Sequence, residues 1–414
     1  MDIINFYSDV RFFGLVVIAI IIFRFTVKNA GEATRSCMLI FLSLGFLSLL
    51  HDSQHWLGFT VAYCILLAGG ATLFYRYRAR NATRSVHAIG GVITLVIFTL
   101  FLLKYKYYFQ ILFGNFAWQS TLASIQWIGI SYLTFRAIDL LVYSGSSRAK
   151  PFSFFSALAY LLFFPVFLSG PINRFGNFLE DQCGELKSIN SSQMRESILR
   201  VAIGVIKITL IAQAFRYYSI YSEAGKIMAN GSVVGLLGSL YATFFYIYLD
   251  FSGYCDVAIV LGRFLGIRLP ENFRFPFLSA NLQDFWNRWH ISFAQFCRDY
   301  IFFILLRQFA LRARWLPNLI AQILAIAVTF FVMGAWHGSA LNWIYYGIYH
   351  ALGMVIWLTY TKTFNYVSFE SYGSLKAMLP YRIFSIWLTV SFVSVGLLLT
   401  IDIAAVREVI KSVF

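Results

Sequence analysis

Residues 232–265 read SVVGLLGSLYATFFYIYLDFSGYCDVAIVLGRFL, and only Asp250, Asp256 and Arg263 in that run carry charge. A bilayer-crossing helix needs roughly 20 mostly apolar residues, because no water at that depth can satisfy its backbone. The run is long enough, and it sets the expectation of an all-α, polytopic integral membrane protein. Working outward, apolar stretches of span or near-span length recur around 10–25, 37–49, 56–75, 88–103, 122–143, 152–169, 196–219, 293–306, 318–336, 341–361 and 381–401. They support about 11 transmembrane helices plus re-entrant segments. Val10 to Phe25 is not read as a signal peptide, because acidic Asp2 and Asp9 precede it and no small-residue cleavage site follows.

Composition agrees: 59% of the 414 residues are hydrophobic and 12% charged. The net charge of +15 does not point to nucleic acid, since the basic residues sit in short clusters between apolar runs. Arg76, Arg78 and Arg80 with Arg84, then Arg148 and Lys150, then Arg307, Arg312 and Arg314 face the cytosol by the positive-inside rule. Lys104 and Lys106 fit it less well. The five cysteines, at 37, 64, 183, 255 and 297, form no CxxC pair and no metal-ligand spacing, so they read as small apolar filler. Without a long polar linker or an internal repeat, residues 1–414 are expected to form a single membrane-embedded domain. The longest polar interruption, Asn173 to Arg195, reads as an extramembrane loop followed by a capped helix start near Ser191.

Between 250 and 300 the pattern changes, and ionisable residues at membrane depth are functional candidates by default. Asp250 and Asp256 are six apart and lie on different helix faces, which argues for buried carboxylates bonded to arginine or backbone donors, not a metal site. Pro270 to Ser279 holds two prolines and no helical period, so it is expected to be irregular or re-entrant and to border a cavity. In Asn281-Leu-Gln-Asp-Phe-Trp-Asn-Arg-Trp-His290, Asp284 and Arg288 form an i, i+4 pair among Trp286, Asn287 and Trp289. A second cluster is Gly334-Ala-Trp-His-Gly338. His51 and His55 lie near a short loop and His87 beside a basic segment, where solvent exposure is expected. His350 reads as a structural hydrogen-bonding residue. On pattern alone, His290 and His337 are each equally a packed core histidine or a base that takes a proton from an alcohol. Ser252 and Ser169 sit in xSG sequences and not in a GxSxG nucleophile elbow.

YLDFSGYCDVAI, PENFRFPF, DFWNRWHISF with RDY, and WHG, in that order between Thr243 and His350, resemble the signature of the membrane-bound O-acyltransferases. Weaker similarity extends to Ile128–Asp139 and Phe163–Phe178. The resemblance implies a ring of helices around a thinned membrane centre, with a central tunnel where a cytosolic acyl thioester meets an acceptor from the opposite side. It also implies that His337 is the catalytic base and His290 the second histidine, which positions the acceptor or polarises the carbonyl. Asp284, Trp286, Asn287, Arg288, Trp289, Trp336, Asp250 and Ser252 become substrate-binding or scaffolding residues.

Two branches of that family fit. One moves D-alanine from a phosphopantetheine carrier protein toward teichoic acids, and the other acetylates alginate and similar polymers. Phe164-Pro-Val-Phe-Leu-Ser-Gly-Pro-Ile-Asn-Arg174, Ile130 to Arg136, Phe285 to Arg288 and the chain length resemble the first. One departure is Asn173, where that branch usually has an acidic residue. The resemblance implies a multi-pass protein of the bacterial inner membrane that has no bound cofactor. Its donor would be a thioester on an acyl carrier protein, or alternatively acyl-coenzyme A, and its other partners membrane lipid and an extracytoplasmic envelope component. Arg307, Arg312 and Arg314 then become either an interfacial anchor or the docking site for the acidic carrier. The rival classes are a transporter or lipid flippase, which would show repeated interrupted helices, and a non-catalytic envelope scaffold.

Overall fold

The computed structural model describes residues 10–50, 54–78, 82–105, 129–366, 378–402, 405–407 and 411. Asp2, Asp9, His51, Arg80, Lys106, the side chains of His55 and Arg84, and the start of the 122–143 stretch lie outside the described part. Every regular element among the described residues is helical. Seven helices there are long and apolar enough to cross a membrane: Glu32–Leu50, Trp56–Arg78, His87–Lys104, Ser191–Tyr217, Val233–Phe264, Asn318–His337 and Leu379–Thr400. Two further helices, Val10–Val27 and Leu341–Tyr366, coincide with the 10–25 and 341–361 stretches. Hydroxyls within these helices bond their own backbone, as Thr72 does to the Ala68 carbonyl and Thr329 to that of Ala325, each at 2.7 Å.

The chain forms two compact units, residues 1–203 with 255–270, and residues 204–254 with 271–414. In the first, Phe46 stacks on Phe164 at 4.2 Å, and the Tyr160 ring meets those of Phe175 and Phe178. Buried Asp139 joins this unit together. It accepts from the Phe175 N–H at 2.6 Å, from the Tyr160 hydroxyl at 3.2 Å and from Arg174 at 3.1 Å. Asp256 pairs with Arg200 at 2.9 Å, as the need to match a buried charge requires.

Three sequence readings change here. The 152–169 stretch is not one span: its helix, Phe154–Leu162, breaks at Phe163, with ψ of 102°, before a short 3-10 turn at Phe164–Val166, and Pro165, which has no N–H to donate, cannot continue it. The polar 173–195 segment contains a nine-residue helix, Phe175–Cys183. The next helix starts at Ser191, as expected, capped by Asn190: its side chain accepts from the Gln193 N–H at 2.8 Å while the Gln193 side-chain Oε1 accepts from the Asn190 N–H at 3.2 Å. The 293–306 stretch falls in a broken helical course, Ile291–Cys297, a π-helical turn Arg298–Phe302, then Phe303–Arg312.

The second unit packs around aromatic side chains. Phe244, Phe285, Val390, Val393 and Leu397 form one buried cluster, against which Trp286, Trp289 and Tyr346 rest. Helices Asn318–His337 and Leu341–Tyr366 approach closely at two glycines. A Cβ on Gly334 would lie 2.3 Å from the Trp343 carbonyl oxygen, and one on Gly347 would lie 2.4 Å from that of Phe330.

Candidate active site

The site grows from the irregular chain at Glu271–Ser279, which contains one short 3-10 turn, Pro276–Leu278. Asn272 in this chain makes it a clasp. Its carbonyl accepts from the Ile291 N–H at 2.9 Å, and its side-chain Oδ1 accepts from the Ser292 N–H at 3.1 Å and the Ser292 hydroxyl at 2.9 Å. The same Oδ1 lies 3.2 Å from His290 Nδ1. An acceptor oxygen at that position makes Nδ1 the protonated nitrogen and leaves Nε2 as the acceptor of the neutral ring.

His290 closes the turn that follows the short helix Leu282–Trp286, with φ of 44°, in the left-handed region. A non-glycine residue there costs about 1–3 kcal/mol of backbone strain, which the Asn272 bonds help offset. The ring is 4% exposed and sits edge-on to Phe251 at 4.8 Å. Burial first, then the nearby His337, holds its pKa well below the usual histidine range, so it is neutral. Asn281 caps the short helix, accepting from the Asp284 N–H at 2.8 Å.

His337 is the last residue of Asn318–His337, and its side chain is exposed. Its ring stacks on Trp343 at 5.5 Å and meets the edge of Tyr346 at 6.1 Å. Phe293 joins the two histidines, 4.9 Å from His290 and 5.8 Å from His337, and Trp336 packs on Phe293 at 4.6 Å. Gly338 has an extended backbone, φ −158°, that any residue adopts, so conformational freedom is not what a glycine supplies there. It supplies room: a Cβ would lie 2.0 Å from Trp343 Cδ1.

The expected Asp284–Arg288 pair is present at 2.7 Å, and Trp289 stacks on both Phe244 and Phe285, so these residues scaffold the turn. Asn287 accepts from Arg298 at 3.0 Å. Trp286, Asn287, Arg298, Gln322, Met333 and Trp357 help to line a cavity of about 420 Å³, whose wall includes neither histidine. Ser252 is buried, with its hydroxyl directed to the Leu249 carbonyl at 3.5 Å, which suits a helix residue and not a nucleophile. Asp250 differs from its expected bonding: it is half-buried and has no hydrogen-bond partner among the described residues, although Arg216 lies within electrostatic range. His350 also departs from its reading. Neither of its ring nitrogens has a hydrogen-bond partner among the described residues, because the space around it is filled by aromatic rings. Arg307, Arg312 and Arg314 are all exposed, beside exposed Leu311 and Trp315.

Sequence reasoning missed Asn272, Ser292, Trp343 and Tyr346. Asn272 lies inside the quoted PENF segment, so it was visible without a role; the two aromatics follow WHG by one to two turns of the next helix.

A family profile described as "MBOAT, membrane-bound O-acyltransferase family" matches residues 111–399. The chain belongs to that family. This membrane-bound O-acyltransferase is 30% identical to the teichoic acid D-alanyltransferase of Bacillus subtilis over 362 residues, 86% of this chain and 89% of that protein. It is 33% identical to the teichoic acid D-alanyltransferase of Streptococcus thermophilus over 59% of this chain and 60% of that protein. The "Probable alginate O-acetylase AlgI" of Pseudomonas aeruginosa is 30% identical over 55% of this chain and 42% of its own length. Membership makes the chain a multi-pass membrane enzyme of O-acyl transfer and removes the ground for reading it as a transporter or an inert scaffold.

Proposed function

We propose that this acyltransferase moves an acyl group, D-alanyl in our reading, from a cytosolic thioester to a hydroxyl of an envelope polymer or its membrane precursor, in the bacterial inner membrane. The observation that carries the mechanism is the pairing of an exposed imidazole, His337, with a buried neutral one, His290, across the single ring of Phe293. The similarity to teichoic acid D-alanyltransferase along 86% of the chain supports the choice of acyl group.

The acceptor hydroxyl attacks the thioester carbonyl while His337 takes its proton. Collapse of the tetrahedral intermediate breaks the C–S bond, and the departing thiolate takes the proton back, so alcohol and thioester become ester and thiol. His290, with Nδ1–H turned to Asn272, offers an acceptor nitrogen, which suits holding a second polar hydrogen of the acceptor, apart from the proton His337 removes, better than polarising a carbonyl. A placed histidine base is worth about 10²–10⁴-fold in rate, and holding the two substrates together supplies much of the rest.

For the donor, exposed Arg307, Arg312 and Arg314 beside exposed apolar Leu311 and Trp315 suit an acidic carrier protein with an apolar contact patch. Such charges steer encounter and are weakened by salt. The test is transfer by the purified protein from a carrier-bound thioester, from acyl-coenzyme A and from a small soluble thioester. His337→Ala should abolish transfer from all three, and near-native turnover by that variant would refute the mechanism. Reversing Arg312 and Arg314 to Glu should weaken only the carrier-bound donor. Equal loss with all donors would assign the arginines to folding, and activity with acyl-coenzyme A alone would select the acetylating branch.

A further inference from the structure

His350 lies in helix Leu341–Tyr366, 1% exposed, with both ring nitrogens lacking a hydrogen-bond partner among the described residues. An apolar side chain would avoid the desolvation of two unpaired polar atoms. Local rules of this kind are broken where function requires it.

The surroundings of the ring show what it is placed to do. It meets Tyr346 at 4.5 Å and 69°, and Trp286 at 5.2 Å and 85°. Tyr346, one helical turn earlier, also lies 6.1 Å from His337 and 5.8 Å from Trp343, the ring on which His337 stacks. Trp286 ends the short helix that runs into the His290 turn. One imidazole therefore touches an aromatic neighbour of His337 and an aromatic residue four positions before His290. Nearly perpendicular rings are the geometry in which an N–H edge points at an aromatic face, a weak but directional contact that an aliphatic side chain cannot make. Helix Leu379–Gly396 closes the remaining side, with Phe392 at 5.8 Å, and a Cβ on Gly396 would lie 3.1 Å from His350 Nε2.

We propose that His350 is a positioning residue for acyl transfer: its unpartnered imidazole, wedged between Tyr346 and Trp286, sets the orientation of the aromatic side chains that hold His337. The proposal rests on the reading of His337 as the base. It assigns His350 no contact with substrate and no proton.

The experiment compares His350→Met and His350→Phe, which fill the space without ring nitrogens, with His350→Gln, which restores a polar group. Turnover should fall about tenfold or more in the apolar variants, as misplacement of a reacting group predicts. KM for a soluble thioester should stay within about twofold of the native value, since ground-state binding is not touched. Their thermal stability should be equal or higher, and His350→Gln should recover part of the turnover. A second readout needs no activity: diethyl pyrocarbonate labels exposed His337, and mass spectrometry follows the rate. That rate should change in the apolar variants and return toward native in His350→Gln. Native turnover together with a native labelling rate in the apolar variants would overturn the proposal. So would a loss of turnover that tracks a loss of stability and is not recovered by His350→Gln. Absence of transfer by the native protein would instead overturn the acyltransfer reading, and the labelling rates would still decide the role of His350.

Discussion

Gly338→Ala tests whether the aromatic seat of His337 matters to the chemistry. The added Cβ would lie 2.0 Å from Trp343 Cδ1, against 3.4 Å for ordinary contact, so one of the two must move by 3.4 − 2.0 = 1.4 Å. The backbone of residue 338 tolerates alanine, and the indole is the part that gives way. Its stack on His337 at 5.5 Å is then lost or shifted. Displacements of about 1 Å at a reacting group cost on the order of 100-fold in rate, and overpacking costs about 1–3 kcal/mol in stability. The variant should therefore purify and unfold cooperatively, a few degrees below the native protein, with turnover lowered by about two orders of magnitude. Turnover from a small thioester gives the kinetic measure, with His337→Ala as the floor. Adding Trp343→Ala should relieve the clash, so the two changes together should cost less than the product of the separate losses. Native turnover by Gly338→Ala, or strict multiplicativity of the pair, would show that Trp343 does not orient the base.

Other outcomes follow from the clasp at Asn272. Asn272→Leu removes the acceptor used by His290 and Ser292, so it should destabilise the protein by about 1–3 kcal/mol and lower turnover, measured by thermal unfolding and transfer rate. His290→Ala should reduce turnover severely while leaving membrane insertion intact, seen by fractionation and assay. The depressed pKa of His290 means that the folded state resists protonation of that ring while the unfolded chain accepts it near pH 6.5. Stability from this group is thus complete above that value and falls as pH drops below it; His290→Gln should flatten part of the acid limb of a melting-temperature profile. The half-exposed Asp284–Arg288 pair should matter little: Arg288→Met is expected to cost no more than about 1 kcal/mol.

Much of the fold could be read in advance because backbone physics leaves few choices at membrane depth. The run at 232–265 appears as the helix Val233–Phe264, and the Pro270–Ser279 stretch with its two prolines holds only one short 3-10 turn. Asp284 and Arg288 met at the spacing a single helical turn demands. What escaped has equally physical causes. Apolar content alone cannot separate one span from a short helix and a turn, so 152–169 looked continuous, although Pro165 inside it carried the warning. Asn272 acts through tertiary bonds to residues 290–292, and nothing in local periodicity marks a lone amide as a clasp. His350 was expected to find a hydrogen bond because most buried polar groups do; the aromatic side chains that exclude one come from Trp286 and Phe392, remote in the chain.

The π-helical turn at Arg298–Phe302 also has a geometric meaning. A π-bulge accommodates one residue more than the α-helical path between the same two ends. Each α-helical residue advances the azimuth by about 100°. The bulge therefore sets the phase between the face that carries Phe293 and the face that carries Arg307 and Arg312. Winding residues 298–302 as α-helix with none removed would swing those arginines about a quarter-turn around the axis while leaving every one of them present. Charge composition would be unchanged, but the direction in which that charge is displayed would not. In this chain, the compass bearing of the basic surface is encoded by one extra position in a helix.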